Sequence, residues 1–365
     1  MSKSPIRLLI AASGTGGHIF PALAVAQHLP NYTIEWLGVP DRIENELLPP
    51  GYPLHTIAVE GFQQRFGLGT LRIVTGLVSS IWQVRQLLKE GKFDGVFTTG
   101  GYIAGPAIMA ARLQGLPTII HESNAIPGKV TRWLSPFCNT VALGFEAASK
   151  YLPRIKTVTV GTPVRDSFQL TQALELPIPP EVPLIVVVGG SQGAVAVNKL
   201  VRQCAPVWFE AGAWIVHLTG EKDPEANTLS HPQYLSMPFY DQMAPLLQRA
   251  NLAISRAGAG TLTELAITET PAILIPYPYA AEDHQAFNAA SFKDSGAAFV
   301  FRQEQLTQEI LEQEVLALLK SPTRLEDMKH KAASLAIRDS GKRLASLVRE
   351  LVEKSKIKYG KGSRE

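Results

Sequence analysis

Cysteine is nearly absent. Only Cys138 and Cys204 occur in 365 residues, too few and too far apart for a disulfide framework or a cysteine-based zinc site. A reducing cytoplasm is the simplest setting for such a chain. No run of about 18 apolar residues appears, so no segment is expected to cross a bilayer. Met1 to Pro5 lead straight into an apolar run, without the hydrophobic stretch or small-residue cleavage site of a signal peptide. Charge of one sign is scarce too: 35 Lys plus Arg against 32 Asp plus Glu leave +3, with a pI near 8.7. That excess is too mild to suggest a nucleic-acid partner. No Asp-x-Asp pair occurs, so a metal-bridged diphosphate has no obvious ligands, and no metal or other cofactor is expected. Two common nucleotide fingerprints are also missing. Ile19 stands where G-x-G-x-x-G requires glycine, and Gly189–Ala194 lacks the Gly-Lys-Ser/Thr ending of a P-loop. Simple dehydrogenase and ATPase readings lose ground accordingly.

What the chain does have is two glycine-rich turns half a chain apart. Leu8–Ala11 runs into Ser13-Gly14-Thr15-Gly16-Gly17-His18, and Leu184–Val188 runs into Gly189-Gly190-Ser191-Gln192-Gly193-Ala194. An apolar strand ending in glycines before a helix exposes backbone N–H groups at the positive end of the helix dipole, a ready place for a phosphate. Two such turns suggest two Rossmann-like domains facing a shared cleft. Length agrees, since 365 residues exceed a comfortable single core, and 45% hydrophobic content marks a globular chain.

The β-branched runs Arg7–Ala12, Thr33–Leu37, Gly95–Thr98, Thr118–His121, Thr140–Leu143 and Thr157–Val160 alternate with helical stretches, the first expected over Pro21–Leu29. This spacing predicts βαβ units and mainly parallel sheets. Gly161-Thr162-Pro163 and the prolines at 177, 179, 180 and 183 mark a boundary, after which Leu184–Val188, Trp214–Leu218, Leu252–Ser255 and Ala272–Pro276 repeat the pattern. The expected division is therefore residues 1–162, then 163–341. A helix over about 342–354 follows, and 355–365 reads as a frayed basic tail.

Polar residues gather at the ends of these strands. Gly100-Gly101-Tyr102 follows one strand, and His121-Glu122-Ser123-Asn124 closes another, where open α/β sheets place ligand contacts. For Glu122 a satisfied loop network is as good a reading as ligand binding. In the second half, Arg256 to Glu264 follows a strand with small residues that allow close backbone approach. Its N-terminal amides suit a diphosphate, and Glu264 suits a ribose diol. Thr261 with Glu264 also fits a capping box. His18 is either a local cap or a general base.

Taken in order, Thr15-Gly16-Gly17-His18, Gly100-Gly101-Tyr102, His121-Glu122-Ser123-Asn124, Gly161-Thr162-Pro163-Val164-Arg165, Gly189–Ala194, Arg256–Glu264 and Asp283-His284-Gln285 resemble the MurG family of N-acetylglucosaminyltransferases. The resemblance runs from about residue 7 to 350. Thr162 stands where that family usually has asparagine, and the segment around Gln285 differs in length. The resemblance implies a GT-B fold and inverting transfer of GlcNAc from UDP-GlcNAc to the C4 hydroxyl of lipid I, giving lipid II for peptidoglycan. The first domain would bind acceptor and membrane, with the final helix packed back on it, and the second would bind UDP-GlcNAc. His18 would be the base. Ser191 and Arg165 would meet the diphosphate beside the amides of Ala259, Gly260 and Thr261, with Arg256 a further candidate for the leaving charge. Glu264 would hold ribose, Tyr240 uracil through its backbone, and Asn124 and Gln285 the sugar hydroxyls. Thr15, Gly16 and Gly17 would line the cleft, and Gly100, Gly101, Tyr102 and Glu122 would be acceptor-side candidates. The setting implied is peripheral, on the cytoplasmic face of the inner membrane, among cell-wall assembly proteins.

Leu68–Glu90 carries Leu71, Val74, Leu77, Val78, Ile81 and Trp82 with Arg72, Arg85 and Lys89 at its edges. Apolar residues at helical spacing usually mean core, yet a Trp among basic residues also suits an anionic phospholipid surface. Two other functions share these signals: another enzyme of the same fold such as a UDP-GlcNAc 2-epimerase, and a silent UDP-sugar or lipid-binding module. The presence of His18, Asn124, Arg165 and Glu264 argues against the second.

Overall fold

The structure, a computed structural model, describes residues 5–40, 44–59, 68–190 and 193–361. The chain forms two compact units, Met1–Arg165 with Asp339–Glu365, and Asp166–Arg338. The first unit thus ends at Arg165, not Thr162, and keeps Arg165 for itself.

In the first unit, strands β1 (Ile6–Ala11), β2 (Tyr32–Gly38), β3 (Leu54–Thr56), β4 (Gly95–Thr98), β5 (Thr118–Glu122), β6 (Thr140–Leu143) and β7 (Thr157–Thr159) form one sheet. Its order is β3-β2-β1-β4-β5-β6-β7, and every pairing is parallel. Helices α1 (Gly16–Gln27), α2 (Glu44–Leu47), α3 (Leu68–Glu90), α4 (Ala104–Leu113) and α5 (Lys129–Leu134) connect the strands. Side chains alternate across the sheet. Leu8, Ile10, Trp36 and Phe97 pack with Ile19 and Val25 of α1, while Leu9, Ala11, Leu37 and Val96 pack with Val84 and Leu88 of α3 and Ala107 of α4. Burial on both faces explains why the strands read as continuous apolar runs.

The second unit has β8 (Leu184–Val188), β9 (Trp214–Leu218), β10 (Tyr234–Met237), β11 (Leu252–Ser255), β12 (Ala272–Leu274) and β13 (Ala298–Val300), with helices α6 (Val195–Glu210), α7 (Met243–Arg249), α8 (Ala259–Ile267), α9 (His284–Ser295), α10 (Gln308–Leu319) and α11 (Pro322–Ser334). Its sheet is again wholly parallel, in the order β10-β9-β8-β11-β12-β13. Trp208, Phe209, Val201 and Val197 on α6 fill one side of its core with Ile185, Val187 and Ile254.

Helix α12 (Ser340–Lys361) returns to the first unit and continues past the expected end at 354. Leu344, Val348 and Val352 recur every four residues and join the core of α1 and β1. A Cβ on Gly95 would lie 2.8 Å from Val352 Cγ2, so the bare glycine permits this close packing. Lys356 Nζ pairs with Asp94 Oδ1 at 2.9 Å. Residues 355–361 are therefore helical, not a frayed tail, and 362–365 lie outside the described residues. Helix α1 also departs from expectation. It begins at Gly16, so Pro21 sits inside it and not at its first position. The missing proline N–H leaves the Gly17 carbonyl without the usual helical donor.

A buried polar network ties α6 to β9 and β10 in the second unit. Asn198 Nδ2 donates to the Thr219 carbonyl and to Asp223 Oδ2, at 2.8 and 2.7 Å. Its Oδ1 is thus the acceptor facing His217 Nε2 at 3.0 Å, and His217 Nδ1 accepts from the Tyr234 hydroxyl at 2.7 Å. Arg202 grips both oxygens of Asp223. Burial, with Arg202 nearby, pushes the His217 imidazole down to about 3. The unfolded chain therefore takes up a proton below the ordinary histidine value that the folded chain refuses, so this contribution is complete above about pH 6.5 and is lost as pH falls toward 3. Denaturant unfolding of the second unit should lose about 2 kcal/mol between pH 7 and 5 from this group, and His217→Gln should flatten that slope. An unchanged slope in the variant would show that the imidazole is not the titrating group.

Candidate functional site

In an open parallel sheet, the strand order reverses at one place, and the loops leaving the carboxyl ends of the two flanking strands open a crevice there. In the first unit that place lies between β1 and β4, which pair directly. The β1 loop is pinned from below by Glu44, fully buried on α2. Its Oε1 accepts from Ser13 Oγ at 2.5 Å and Val39 N–H at 2.8 Å, and its Oε2 from Gly14 N–H at 3.4 Å. Gly14 has φ +105°, a conformation that suits glycine. Thr15 is the N-cap of α1 and makes no side-chain cap bond. The Gly16 and Gly17 amides open the helix, where backbone N–H groups have no intrahelical acceptor.

His18 then faces the β4 loop. Its Nδ1 lies 2.8 Å from the Thr99 carbonyl, and Thr99 Oγ1 donates back to the His18 carbonyl at 3.0 Å. A carbonyl only accepts, so Nδ1 carries the proton and Nε2 of the neutral ring keeps its lone pair. Gly100 and Gly101 have φ +93° and +73°, and a Cβ on either would approach the His18 ring to 3.8 Å. The ring and the Gly100-Gly101 turn are thus neighbours. Tyr102 is half-exposed beyond them. Arg165, at the end of the first unit's opening stretch, lies over the ring of Phe20, with its guanidinium carbon 4.9 Å from the centroid. Phe20 in turn fills the space beside Gly16, where a Cβ would meet it at 2.8 Å. Gly16 and Arg165 are brought to opposite ends of one contact chain.

At the β5 end, Glu122 is buried and uses both carboxylate oxygens. Oε1 accepts from the Asn124 N–H and Nδ2 at 3.0 and 3.1 Å, and Oε2 from Gly128 N–H and Thr131 Oγ1 at 3.0 and 2.6 Å. The loop-network reading therefore describes Glu122, and its effect is to hold Asn124. His121 is wholly buried, its Nε2 donating to the Gly161 carbonyl at 2.9 Å, and burial pushes its pKa down. It remains neutral and holds the stretch before Thr162.

In the second unit the reversal falls between β8 and β11. A Cβ on Gly189 would come within 2.7 Å of the Ala194 nitrogen, and one on Gly193 (φ +72°) within 2.7 Å of the Thr219 carbonyl. Both contacts are with backbone, so both positions exclude a side chain. Ser191 lies outside the described residues. After β11, Gly258 caps α8, and the first helical bond comes from Leu262 to the Gly258 carbonyl at 3.0 Å. The N–H groups of Ala259, Gly260 and Thr261 precede that bond and have no intrahelical acceptor. Thr261 is the third helical residue and not the cap, so the capping box expected of Thr261 and Glu264 does not form. Glu264 sits one turn further, partly buried.

Arg256 points into the fold. Its Nη1 donates to the Ile275 and Pro276 carbonyls at 3.0 and 3.3 Å, its Nη2 to Gln303 Oε1 at 2.7 Å, and Tyr277 lies beside the guanidinium. Burial pushes its pKa down. This geometry gives Arg256 the task of tying the β12 loop to the segment after β13. Gln285, second residue of α9, accepts at Oε1 from the Ala257 and Tyr277 N–H groups at 3.1 and 2.9 Å. The amide orientation is thereby fixed with Nε2 as the remaining donor. Tyr240 lies in the loop after β10, beside Asp241, where burial raises its hydroxyl pKa.

Glu44, Thr99, Gln303 and the His217 network escaped sequence reasoning. None stands in a motif, and each acts through a partner distant in the chain.

Comparison with known proteins adds a second line. The Glycosyltransferase family 28 N-terminal domain matches residues 8–143, and the family 28 C-terminal domain matches 184–344. A relative from Gloeothece citriformis, named UDP-N-acetylglucosamine–N-acetylmuramyl-(pentapeptide) pyrophosphoryl-undecaprenol N-acetylglucosamine transferase, is 66% identical over 96% of this chain and 97% of its own. One of the same name from Nostoc punctiforme is 64% identical over 97% of this chain and 100% of its own. The crystal structure of Acinetobacter baumannii MurG superposes with a TM-score of 0.76 at 30% identity, over 95% of this chain and 100% of that one.

Proposed function

Because the chain belongs to glycosyltransferase family 28 and has its two-unit GT-B fold, we infer that it carries out the reaction for which its relatives are named. It transfers GlcNAc from UDP-GlcNAc to lipid I, the undecaprenyl-pyrophosphoryl-MurNAc-pentapeptide, and so forms lipid II for peptidoglycan. At 66% identity over nearly the whole length, this reading is favoured over an epimerase or a silent binding module.

We assign the proton transfer to His18. The observation that carries this is the Nδ1 to Thr99 carbonyl bond, which leaves Nε2 as the basic atom. Nε2 takes the proton of the MurNAc C4 hydroxyl as its oxygen forms a bond to the anomeric carbon. The bond from that carbon to the UDP oxygen breaks, the centre inverts, and UDP leaves with the electron pair. Negative charge gathering on UDP is met by the amides of Ala259, Gly260 and Thr261 at the start of α8 and by Arg165, with no metal required. Arg256 supports this indirectly, by fixing the loops beside α8. Glu264 holds the ribose, Tyr240 meets uracil through its backbone, and Ser191 meets the diphosphate. Gln285 Nε2 and Asn124 read the GlcNAc hydroxyls, and Thr15, Gly16 and Gly17 line the acceptor approach. Gly100, Gly101 and Tyr102 belong to that acceptor side.

The lipid-linked acceptor requires work at a membrane surface, and among the described residues no helix is long and apolar enough to cross one. Helix α3 supports peripheral docking on an anionic leaflet, on the cytoplasmic side where UDP-GlcNAc is available. Ser80, Val84 and Leu88 face inward at four-residue spacing, while Val78 and Trp82 are each 61% exposed and Arg85 and Lys89 stand in solvent. The side chains of Leu71, Arg72 and Val74 lie outside the described residues. Contact with cell-wall assembly proteins is a further expectation of this setting.

Three experiments test this reading. Incubation with UDP-GlcNAc and a short-chain lipid I analogue should give the disaccharide product by mass, with turnover retained in excess chelator. His18→Ala should lower kcat by about two to four orders of magnitude with little change in donor KM. Absence of product, or strict dependence on one metal, would refute the transfer mechanism. Separately, Arg85→Gln with Lys89→Gln should weaken binding to anionic vesicles by about 1 kcal/mol per charge at low salt, and Trp82→Ser should weaken it at any salt. Unchanged sedimentation in both would remove α3 from the membrane.

A further inference from the structure

Between β12 and α9 the chain takes a strained course. Glu282 and Asp283, consecutive and neither of them glycine, have φ +54° and +56°. Such left-handed backbone persists only where surrounding contacts impose it, and it gathers at functional sites. Asp283 is the N-cap of α9, where an aspartate ordinarily accepts from first-turn amides. It makes no such bond. Its carboxylate turns instead to Arg302, which donates through Nη1 and Nη2 to the two oxygens at 2.7 and 2.6 Å.

Arg302 and its neighbour Gln303 both follow β13, and each grips a different loop. Arg302 holds the turn that opens α9, and Gln303 holds Arg256. The circuit closes through Gln285, two residues beyond Asp283, whose Oε1 takes the amides of Ala257, next to Arg256, and of Tyr277. Three strand-end loops are thereby stitched around one glutamine. The pair itself is 45% and 37% exposed, and an exposed ion pair adds little to global stability. A two-pronged bond on a strained turn has a local consequence instead: it fixes where α9 begins.

We propose that Arg302 and Asp283 are positioning residues for the donor sugar, setting Gln285 so that its Nε2 meets a hydroxyl of the hexose, and that they help the site prefer a UDP-linked sugar over UDP alone. This rests on the reading of Gln285 as a sugar contact.

Calorimetry of the full chain with UDP and with UDP-GlcNAc separates the possibilities. Arg302→Gln and Asp283→Asn should leave UDP affinity within about twofold and weaken UDP-GlcNAc about tenfold, the lower end of what loss of a supporting partner costs. Arg302→Lys, which keeps the charge and loses the fork, should fall between wild type and Arg302→Gln. Gln285→Ala serves as the reference and should shift the same ratio. If Gln285→Ala shifts it and neither Arg302→Gln nor Asp283→Asn does, the positioning proposal is wrong while the sugar contact stands. Equal weakening of UDP and UDP-GlcNAc by Arg302→Gln would also overturn it, because the pair would then hold the loop without regard to sugar. If Gln285→Ala leaves the ratio unchanged, the sugar contact itself falls, and the proposal with it.

Discussion

Every strand pairing among the described residues is parallel, and this one constraint places the candidate site. Parallel strands send every carboxyl end of a sheet the same way, and a reversal of strand order leaves two adjacent loops with no helix crossing between them. In the first unit those loops bear His18 and Thr99, and in the second they bear the Gly189–Gly193 turn and the start of α8. Function then depends on what the loops carry. Glycines let backbone come close, as at Gly189 and Gly193, and buried carboxylates such as Glu44 and Glu122 hold the loops by spending their oxygens on N–H and O–H donors.

A division of labour follows between side chains that face inward and groups offered outward. Arg256 and Glu122, both attractive as ligand contacts, are consumed by the protein's own carbonyls and amides. Among the described residues, the groups not spent in this way are backbone N–H groups at α8, the Nε2 of Gln285 and the Nε2 of His18. Fixed dipoles of this kind need no reorganisation as charge develops, which suits the departure of a nucleoside diphosphate. The same logic accounts for His121 and His217: burial disfavours their charged forms, and each serves as a fixed hydrogen-bonding element under a loop.

Much of this was legible in the chain itself. The long apolar strands, the two glycine turns and the restart after the prolines at 177–183 all follow from burial on two faces and from turn chemistry. The edge strands β3, β10 and β13, with three or four residues each, carry too few side chains for a pattern and exist because a neighbour pairs with them. Helix α12 outran its expected end because Lys356 finds Asp94, a partner more than 200 residues away in sequence. Arg256 looked like a phosphate ligand because its partners, Ile275, Pro276 and Gln303, are chosen by the fold. Thr261 and Glu264 matched a capping box in spacing, yet α8 starts three residues earlier than that match requires.

The proposed proton transfer depends on the protonation of one ring. If the Thr99 carbonyl holds the proton on Nδ1 of His18, Nε2 keeps the lone pair that the proposed base needs, with Gly100 and Gly101 beside the ring. Nitrogen NMR of the labelled chain, with the His18 signal assigned by its loss in His18→Ala, reads this directly. The expected result is a neutral His18 protonated at Nδ1 with a bare Nε2. A proton on Nε2 in the neutral ring would contradict it, since that nitrogen could then donate but could not accept.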